Sequence, residues 1–433
     1  MIPDDALGGL RERVFARLSA RLDGPGAHPV AVGLSGGGDS LALLALTCEW
    51  AQYSGRRVMA LTVDHRLNPQ SANWTQAAGE IAQQMGADWR GLSWTEASGG
   101  SAVQERARLA RHALLANAAR DAGASILLLG HTADDAAENR WMREAGTPVG
   151  TIREISPSPV WPQGRGVTVL RPLLSERRER LRDWLRARGL NWLDDPANDD
   201  PRYARVRARK AMAETAPDAA RAETSILLDP GPLADEGVFE FSREALARSG
   251  RSLATALLCA AGTSVPPRGE RLSALMGHIT AGEPQVTVLA GARVEIEADR
   301  VCIFREAGEQ RRNGLFPLSL SAGETAIWDG RFELMAREEG WQVLSAHGNL
   351  SRLTDHDRSR LAALPSAARL SFPILRNALT GRHLLRSSKV RIQALCGRRY
   401  RAAALCLADE TTQEANLFDL WHGETGPTAL FSS

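Results

Sequence analysis

Short apolar runs and longer segments of helical spacing alternate along about the first 200 residues of this chain. The apolar runs have the length of strands and read HPVAVGLS (28–35), RRVMALTV (56–63), Asp88 to Trp94, SILLLG (125–130) and VTVLRP (167–172). Strands that alternate with helices in this way build parallel sheets. The pattern therefore predicts an α/β fold, with helices on both faces of a parallel, doubly wound sheet.

Helical spacing fills the intervals between these strands. The predicted helices cover 5–22, 39–53, 70–86, 101–122, a segment from about Ala133 onwards, and 175–189. A Pro-rich stretch, SPSPVWPQGRG (156–166), interrupts the alternation and predicts a loop. Ligands of such sheets bind beyond the carboxyl ends of the strands. Gly38 and His131 both follow a predicted strand end, so the site is expected there.

The composition changes after about residue 212, where the chain becomes Ala-rich and acidic and then linker-like at 227–237. Beyond this point, helical stretches at 243–262 and 268–281 are mixed with short strands such as QVTVLAG, RVEIEA and RVCIF. We predict an N-terminal catalytic domain over 1–215 and a mixed α+β C-terminal region over 216–433. The boundary falls within 215–230, and a further split near 310 stays open.

Bulk composition narrows the class of protein. With 43% hydrophobic and 24% charged residues, the chain is typical of a globular protein. No window approaches the run of about 18 apolar residues that spans a bilayer, and residues 1–20 lack a secretory apolar core. The five cysteines are scattered and never form CxxC, which argues against a zinc site or a disulfide framework. These features predict a cytoplasmic protein without a membrane partner.

Positive charge comes almost entirely from arginine, because Lys210 and Lys389 are the only lysines in the sequence. A GC-rich genome explains much of this bias. The guanidinium fork also suits phosphates and base edges. The net charge is only +2, so any nucleic-acid contact has to come from local clusters and not from the protein as a whole.

A glycine-rich turn, SGGGDS, follows the first predicted strand and precedes a helix. Glycine lets the backbone approach an anion because no Cβ blocks the way, and the following helix start attracts phosphate. Asp39 would repel phosphate by itself, so its position favours a magnesium ligand. The absence of a lysine excludes a Walker loop. The predicted ATP-binding residues are Ser35, Gly36, Gly37, Gly38, Asp39 and Ser40.

A second polar cluster, GHTADDAAEN (130–139), follows the fourth predicted strand. Its His131 and three acids lie close together at a helix start. Asp134 and Glu138 are four residues apart and share a helix face. Acidic first turns also occur simply as favourable charge at a helix N-terminus. Taken alone, the cluster leaves both a chemical role and a structural role open.

In combination, the two motifs resemble the lysidine synthetases, a family of the ATP pyrophosphatase (PP-loop) superfamily with an adenine nucleotide alpha-hydrolase-like fold. SGGGDS is similar to the family's SGGxDS loop, and 130–139 is similar to its HxxDDxxET motif. By this resemblance His131 contacts the nucleotide phosphates. One or both of Asp134 and Asp135 join Asp39 around Mg²⁺. The implied catalytic residues are Asp39, His131, Asp134 and Asp135.

Further stretches extend the resemblance over about the first 210 residues. ARLARHALL (107–115) is similar to an ARxxRY helix, RPLL (171–174) to a strand of the same sequence, and 194–209 to a D-x-S-N…R-N-x-x-R segment. The residues implied to bind tRNA or lysine are Arg108, Arg111, Glu138, Asn198, Arg205 and Arg209. The chain departs from the family pattern at His112, Ala136, Asn139, Ala197 and Val206.

A basic run at 381–401 contains no acid and is the candidate tRNA-binding surface of the C-terminal region. Its cations are Arg382, Arg386, Lys389, Arg391, Arg398, Arg399 and Arg401. An ordinary solvated face is the equally weighted alternative for this run.

The resemblance implies an enzyme that uses ATP and Mg²⁺ to adenylate the wobble cytidine of an isoleucine tRNA with a CAU anticodon. The amine of free L-lysine then displaces AMP and forms lysidine. This reaction needs electrostatic stabilisation of the transferring phosphoryl group and a base that is unstacked into a pocket. The oligomeric state stays open, with a homodimer as one alternative.

Other functions remain as alternatives. A tRNA thiolation enzyme would need a reactive cysteine, and Cys48 lies in an apolar helical run that predicts a core position. An amidotransferase-linked relative would need a glutaminase domain, for which the sequence shows no signal. A catalytically silent nucleotide- or RNA-binding protein is the alternative from another class. Clustered carboxylates beside a phosphate loop argue against it.

Overall fold

The computed structural model describes residues 9–22, 28–66, 70–95, 103–147, 149–193, 226–312, 314–408 and 412–423. Contacts divide the chain into two compact units, Met1–Thr224 with Asp409–Asp419 and Ser225–Ala408 with Leu420–Ser433. In the described part, no helix is long and apolar enough to cross a membrane. The domain boundary expected within 215–230 falls mostly outside the described residues and stays a prediction.

A six-stranded sheet, in the order β3-β2-β1-β4-β6-β5, forms the centre of the first unit. Its strands are β1 (Val30–Gly33), β2 (Val58–Asp64), β3 (Asp88–Ser93), β4 (Ile126–Leu128), β5 (Ile155–Pro157) and β6 (Thr168–Leu170). All neighbouring pairs are parallel except β5 with β6. The predicted α/β fold is confirmed. Strand order reverses between β1 and β4, which is where such sheets bind ligands.

Helices connect and cover these strands. They are α1 (Leu10–Leu22), α2 (Gly38–Ser54), α3 (Ser71–Gln84), α4 (Val103–Asp121), α5 (Ala133–Glu144) and α6 (Arg178–Ala187). Helix α2 is buried along most of its length, because it packs against β1 and β2 and also against α1 and α6. A helix that is apolar all round, such as LALLALTCEW, is stable only in such a position.

The Pro-rich stretch after residue 155 differs from the predicted loop at its start. Ile155–Pro157 forms the antiparallel edge strand β5 and pairs with β6. An edge strand tolerates proline because one of its two sides needs no ladder hydrogen bond. Strand β6, with which β5 pairs, lies outside the Pro-rich stretch. The prolines alone therefore predicted a loop.

The described residues of the second unit form three sheets. The first is β7-β10-β9-β8, from Phe239–Ser242, Arg300–Arg305, Ala292–Ile296 and Gln285–Leu289. The second is β11-β14-β15-β16, from Leu318–Leu320, Trp341–Ser345, Pro373–Asn377 and His383–Leu384. The third is β12-β13-β17, from Thr325–Trp328, Phe332–Ala336 and Val390–Ala394. The mixed α+β prediction for this region is confirmed.

The described helices of the second unit are α7 (Arg243–Leu246), α8 (Gly250–Ala261), α9 (Gly269–Ala281), α10 (Ala307–Arg312), α11 (Asp355–Leu361), α12 (Ser366–Arg369) and α13 (Cys396–Ala408). The predicted helix at 243–262 is two helices. The chain turns at 247–249, where the Ser249 hydroxyl accepts a hydrogen bond from the Ser252 N–H and starts α8 afresh. Serine competes for backbone partners in this way, which favours caps over helix interiors.

A segment near the C-terminus returns to the first unit. Helix α14 (Glu414–His422) begins there. The Glu414 carboxylate accepts from Arg56 at 2.8 Å and from the Ser125 hydroxyl at 2.8 Å, and all three side chains are buried. The carbonyl of Thr412 accepts from Arg21 at 3.2 Å. These contacts lie at the end of the sheet opposite to the glycine-rich turn, because Ser125 precedes β4.

Candidate functional site

The glycine-rich turn lies between β1 and α2, as predicted. Gly36 has a φ of +85°, a conformation that L side chains rarely adopt. The Ser40 hydroxyl accepts from the backbone N–H of Ser35 at 3.1 Å and donates to the carbonyl of Gly37 at 2.9 Å. Ser40 therefore closes the loop internally. The N–H groups at the start of α2 are left in the arrangement that binds a phosphate.

Two residues that the sequence reasoning missed cover this loop. The N–H of Leu193 donates to the carbonyl of Gly36 at 3.0 Å. A Cβ placed on Gly36 would lie 3.0 Å from the Leu193 side chain, and one on Gly38 would lie 3.4 Å from the Trp192 ring. The glycines thus provide space for this lid as well as for an anion. The apolar pair at 192–193, directly after a basic helix, was the available sequence signal.

The second cluster starts α5 next to the loop. A Cβ on Gly130 would lie 3.0 Å from the backbone oxygen of Asp39, so the two turns touch. Thr132 caps α5, and its N–H and hydroxyl both hydrogen-bond to Asp135, at 2.8 and 2.9 Å. The N–H of Ala133 donates to the carbonyl of Glu176 at 2.9 Å. Asp135 therefore has the structural role of a helix cap, whatever chemistry it also performs.

Glu176, in turn, is held by α1. Its carboxylate accepts from Arg13 at 2.8 Å and from Arg17 at 2.9 Å, and only 3% of its side chain is exposed. Burial acts to raise the pKa of Glu176, but the hydrogen bonds and charges of the two arginines outweigh it and leave the pKa below its ordinary value. The start of α6 is thereby fixed in relation to both α1 and α5.

Arg178, the first residue of α6, is the centre of the acidic cluster. Its guanidinium donates to Asp39 at 2.9 Å, to Asp135 at 3.2 Å and to Glu138 at 3.3 Å. This arrangement brings together acids from the phosphate loop and from the second cluster. Sequence reasoning placed a basic helix here but did not single out this arginine. In the sequence, Arg178 is only one of several arginines at 175–189.

The electrostatics of these acids differ. Burial raises the pKa of Asp39, and the charge of Arg178 opposes this only in part. Burial also acts to raise the pKa of Asp135, but the charges of Arg178 and His131 with the Thr132 hydrogen bonds bring it below its ordinary value. The pKa of Arg178 is raised because the surrounding carboxylates outweigh its burial. Arg178 therefore stays protonated, and the charge of Asp39 is stabilised less than that of Asp135.

Asp134 faces a different part of α6. Its Oδ2 accepts from the backbone N–H of Arg178 at 2.8 Å, and its Oδ1 lies 3.6 Å from the Arg177 guanidinium. A carboxylate at this position satisfies a free N–H at a helix start. The contact explains Asp134 as an anchor for α6, and it separates Asp134 from the three acids around the Arg178 guanidinium.

His131 has a partner that the sequence did not indicate. The Nε of Arg171 donates to Nδ1 of His131 at 3.3 Å, while another Arg171 nitrogen donates to the carbonyl of Arg153 at 2.8 Å and to Ser156 at 3.0 Å. Burial and the charge of Arg108 lower the pKa of Arg171 to about 10. Because Nδ1 accepts, a neutral His131 carries its proton on Nε2 and presents a donor there.

Arg108 and Arg111 lie on α4 near these groups. Burial lowers the pKa of His112 to about 3, and the charges of Arg111, Arg108, His131 and Arg171 add to this effect. His112 is therefore neutral at physiological pH. The charges of Arg108 and Arg111, two of the predicted RNA-binding arginines, thus act on the same histidine as the charge of His131. Asn198, Arg205 and Arg209, with the rest of 194–209, lie outside the described residues.

The acidic cluster offers carboxylate oxygens to Mg²⁺, and a bound substrate would supply the remaining ligands of the ion. Among the described residues, no group of three His, Cys, Asp or Glu side chains is arranged to hold a metal ion by itself. Oδ1 of Asp39 is nevertheless buried and without a hydrogen-bond partner. Magnesium is commonly bound through one or two carboxylates together with substrate phosphates. Asp39, next to the phosphate loop, fits that role.

The basic run at 381–401 is exposed only in part, and its binding to tRNA stays a prediction. Arg398 donates to the carbonyl of Trp421, and Arg399 donates to the carbonyl of Leu258 at 2.8 Å. Arg401 pairs with Asp235. These three cations satisfy carbonyls and an acid within their own unit. The exposed cations of the run are Arg382, Lys389 and Arg391.

Comparison with known proteins places the chain among relatives of similar length. A family model described as a PP-loop domain matches residues 10–216. A tRNA(Ile)-lysidine synthase from Caulobacter vibrioides is 44% identical over 414 residues, which cover 92% of this chain and 99% of the relative. Proteins of the same name from Hyphomonas neptunium and Brucella anthropi are 38% and 32% identical. The match to the Hyphomonas protein covers 65% of this chain and 82% of that relative. The match to the Brucella protein covers 71% of this chain and 74% of that relative.

Proposed function

Since the chain belongs to the tRNA(Ile)-lysidine synthases, we propose that it ligates free L-lysine to the wobble cytidine of the isoleucine tRNA with a CAU anticodon. Members of this family are ligases that use ATP through a PP-loop domain. The product would be lysidine, which changes the codon that the tRNA reads from AUG to AUA. AMP and pyrophosphate are the other products, and the cytoplasm is the proposed site of action.

One observation carries the assignment of the site. The phosphate loop and the second cluster meet at the reversal of strand order, where Arg178 joins Asp39 to Asp135 and Glu138. We assign pyrophosphate to the loop at 35–40, because its N–H groups are donors at a helix start. His131 would donate from Nε2 to a phosphate oxygen of ATP, in the tautomer that Arg171 selects.

Asp39, through its unpartnered Oδ1, is the residue that would hold Mg²⁺, because both oxygens of Asp135 already accept from Thr132 and Arg178. When bound, the ion supplies positive charge that offsets the phosphates of ATP. Asp134 contributes indirectly, because its contact with the Arg178 N–H keeps the start of α6 in place.

The reaction has two steps. In the first, the O2 atom of the unstacked cytosine attacks the α-phosphorus of ATP, and the bond to pyrophosphate breaks. In the second, the ε-amine of lysine attacks carbon 2 of the base, the bond to AMP breaks, and the amine releases a proton. Asp135 and Glu138 are the carboxylates that would bind the lysine ammonium before it is deprotonated. Arg108 and Arg111 would contact tRNA phosphates.

The structure disfavours the sulfur-transfer alternative. Every cysteine among the described residues is buried. Burial raises the pKa of the Cys48 thiol to about 11, which leaves it protonated at neutral pH. A reactive cysteine needs the opposite environment, since the thiolate is the nucleophile.

The test is pyrophosphate release from ATP by the purified full chain, with and without lysine, using unmodified isoleucine tRNA with a CAU anticodon. Methionine tRNA is the RNA control, and Asp39→Asn is the protein control. Release that needs the isoleucine tRNA, with lysine incorporated into it, supports the proposal. Release without lysine incorporation would retain base adenylation but reject lysine as the nucleophile. ATP binding without turnover on either tRNA would favour a silent nucleotide-binding protein.

A further inference from the structure

The acidic cluster of the first unit already contains a cation that belongs to the protein. The Nε, Nη1 and Nη2 atoms of Arg178 each donate to a different carboxylate, those of Asp39, Glu138 and Asp135. The Arg178 side chain is 16% exposed, and the Glu138 side chain is 4% exposed. Three N–H donors on one positive group therefore fill a small, largely desolvated space.

A primary ammonium has the same requirements. It carries one positive charge and three N–H donors, and it accepts no hydrogen bond. An ammonium placed among these three acids would be satisfied as the guanidinium is. Two cations would repel each other in this space, so the internal guanidinium and an external amine exclude one another.

The position of Arg178 also provides an alternative partner for its side chain. Asp39 is part of the phosphate loop and lies 2.9 Å from the Arg178 guanidinium. A triphosphate bound on that loop would therefore lie within reach of the same side chain. The fork of arginine binds phosphate oxygens in pairs. The backbone N–H of Arg178 stays fixed by Asp134 at 2.8 Å, so the side chain can move without the helix.

We propose that Arg178 is a positioning residue that occupies the amine site until ATP is bound, and so makes amine binding depend on ATP. The inference rests on the proposed function, because it takes lysine as the amine. Without nucleotide, the apparent affinity for lysine is reduced by the fraction of molecules in which Arg178 fills the site. With ATP bound, Arg178 pairs with phosphate, and the carboxylates of Asp135 and Glu138 receive the ammonium.

The experiment measures lysine binding by calorimetry on the full chain, without tRNA. Wild type, Arg178→Gln, Arg178→Lys and Arg180→Gln are compared with and without a non-hydrolysable ATP analogue and Mg²⁺. Arg180 is the matched control, because it lies on the same helix, is exposed, and loses the same charge when it is replaced. For wild type and Arg180→Gln, we expect weak lysine binding that the nucleotide tightens at least tenfold.

For Arg178→Gln, we expect tight lysine binding without nucleotide and little further gain with it. Arg178→Lys should be intermediate, because one ammonium on a shorter stem reaches the three acids less completely. Lysine should also raise the unfolding temperature of nucleotide-free Arg178→Gln more than that of wild type. If Arg178→Gln does not fold, Arg178→Lys takes its place. Without nucleotide, Arg178→Lys should then bind lysine more tightly than wild type, and equally weak binding would overturn the proposal.

Lysine binding to folded Arg178→Gln that is as weak as in wild type, or weaker, would overturn the proposal. Arg178 would then organise the carboxylates and would not compete for them. A failure of the competition by Arg178 can be distinguished from a failure of the proposed lysine ligation. Wild type that ligates lysine to tRNA while Arg178→Gln shows no gain rejects the competition alone. Wild type that fails to ligate lysine rejects the proposed function through the separate pyrophosphate and incorporation assay.

Discussion

Nε of Arg178 lies 2.9 Å from Oδ2 of Asp39, across 139 positions of sequence. The contact joins the start of α6 to the helix that carries the phosphate loop. The pKa of Arg178 is raised by the surrounding carboxylates, and the pKa of Asp39 is raised by burial. The pKa of Asp39 therefore depends on a cation contributed by a different helix.

Loss of this cation should change the pH dependence of the enzyme. Arg178 acts to lower the pKa of Asp39, which burial has already raised, so Arg178→Gln should raise it further. If ionised Asp39 is needed, activity falls as the pH falls through this pKa. The acid limb of kcat/KM for ATP should then move to higher pH in Arg178→Gln and stay in place in Arg180→Gln. An unmoved limb in Arg178→Gln would show that another group controls it.

The Arg171 contact should matter through His131. Arg171→Leu removes the Arg171 donor to Nδ1 of His131 and puts no other N–H donor in its place. Losing the partner that orients a functional histidine typically costs about 10- to 100-fold, and we expect that loss in kcat for pyrophosphate release. Arg171→Lys should restore part of it, since the lysine also donates. Full activity of a folded Arg171→Leu protein would exclude an orienting role.

Glu176 should make stability depend on pH. Its folded-state pKa lies below the ordinary value, so its contribution is present above the unfolded pKa of about 4.3 and is lost as pH falls through the lower folded value. Denaturant unfolding at neutral and acidic pH measures the difference. Glu176→Gln should be less stable than wild type at neutral pH and should lose less stability on acidification. Parallel pH profiles for the two proteins would contradict this account.

Gly130→Ala tests the contact between the two turns. The added Cβ would lie 3.0 Å from the backbone oxygen of Asp39, and this backbone has to shift. Small displacements of positioning groups cost up to about 100-fold in rate, so we expect kcat/KM for ATP to fall by roughly 10- to 100-fold. Gly150→Ala is the control, because nothing lies within 4 Å of its Cβ. Equal kinetics for the two variants would show that the turns tolerate the shift.

Glu414→Ala should destabilise the first unit. It leaves Arg56 buried without its carboxylate, from which it lies 2.8 Å in the wild type. Breaking a buried ion pair on one side costs about 3–5 kcal/mol, which should be visible in the free energy of unfolding. Asp183→Ala, at an exposed pair with Arg186, should leave the stability almost unchanged. A small effect at Glu414 would show that water or another group compensates Arg56.

Sequence periodicity was sufficient for most of the sheet and helices up to residue 189, because most of these segments show a single pattern. The helix and strand runs up to 189 occur close to their predicted limits, since apolar spacing is a local property. The phosphate loop was identifiable for the same reason, as its glycines and the helix start are adjacent in sequence. Strand Ile155–Pro157 of the first unit, which the sequence did not predict, depends on pairing with β6 rather than on its own residues.

Tertiary structure decided the roles of individual charges. One arginine near the start of a basic helix looks like its neighbours in sequence, yet Arg178 contacts three acids while Arg180 is exposed. Likewise, Arg398 and Arg399 read as a binding surface but satisfy carbonyls inside their unit. Spacing along the chain determined which residues share an element. Which charges become partners depended on distances between elements, because electrostatic and hydrogen-bond energies act over a few ångströms of space whatever the separation in sequence.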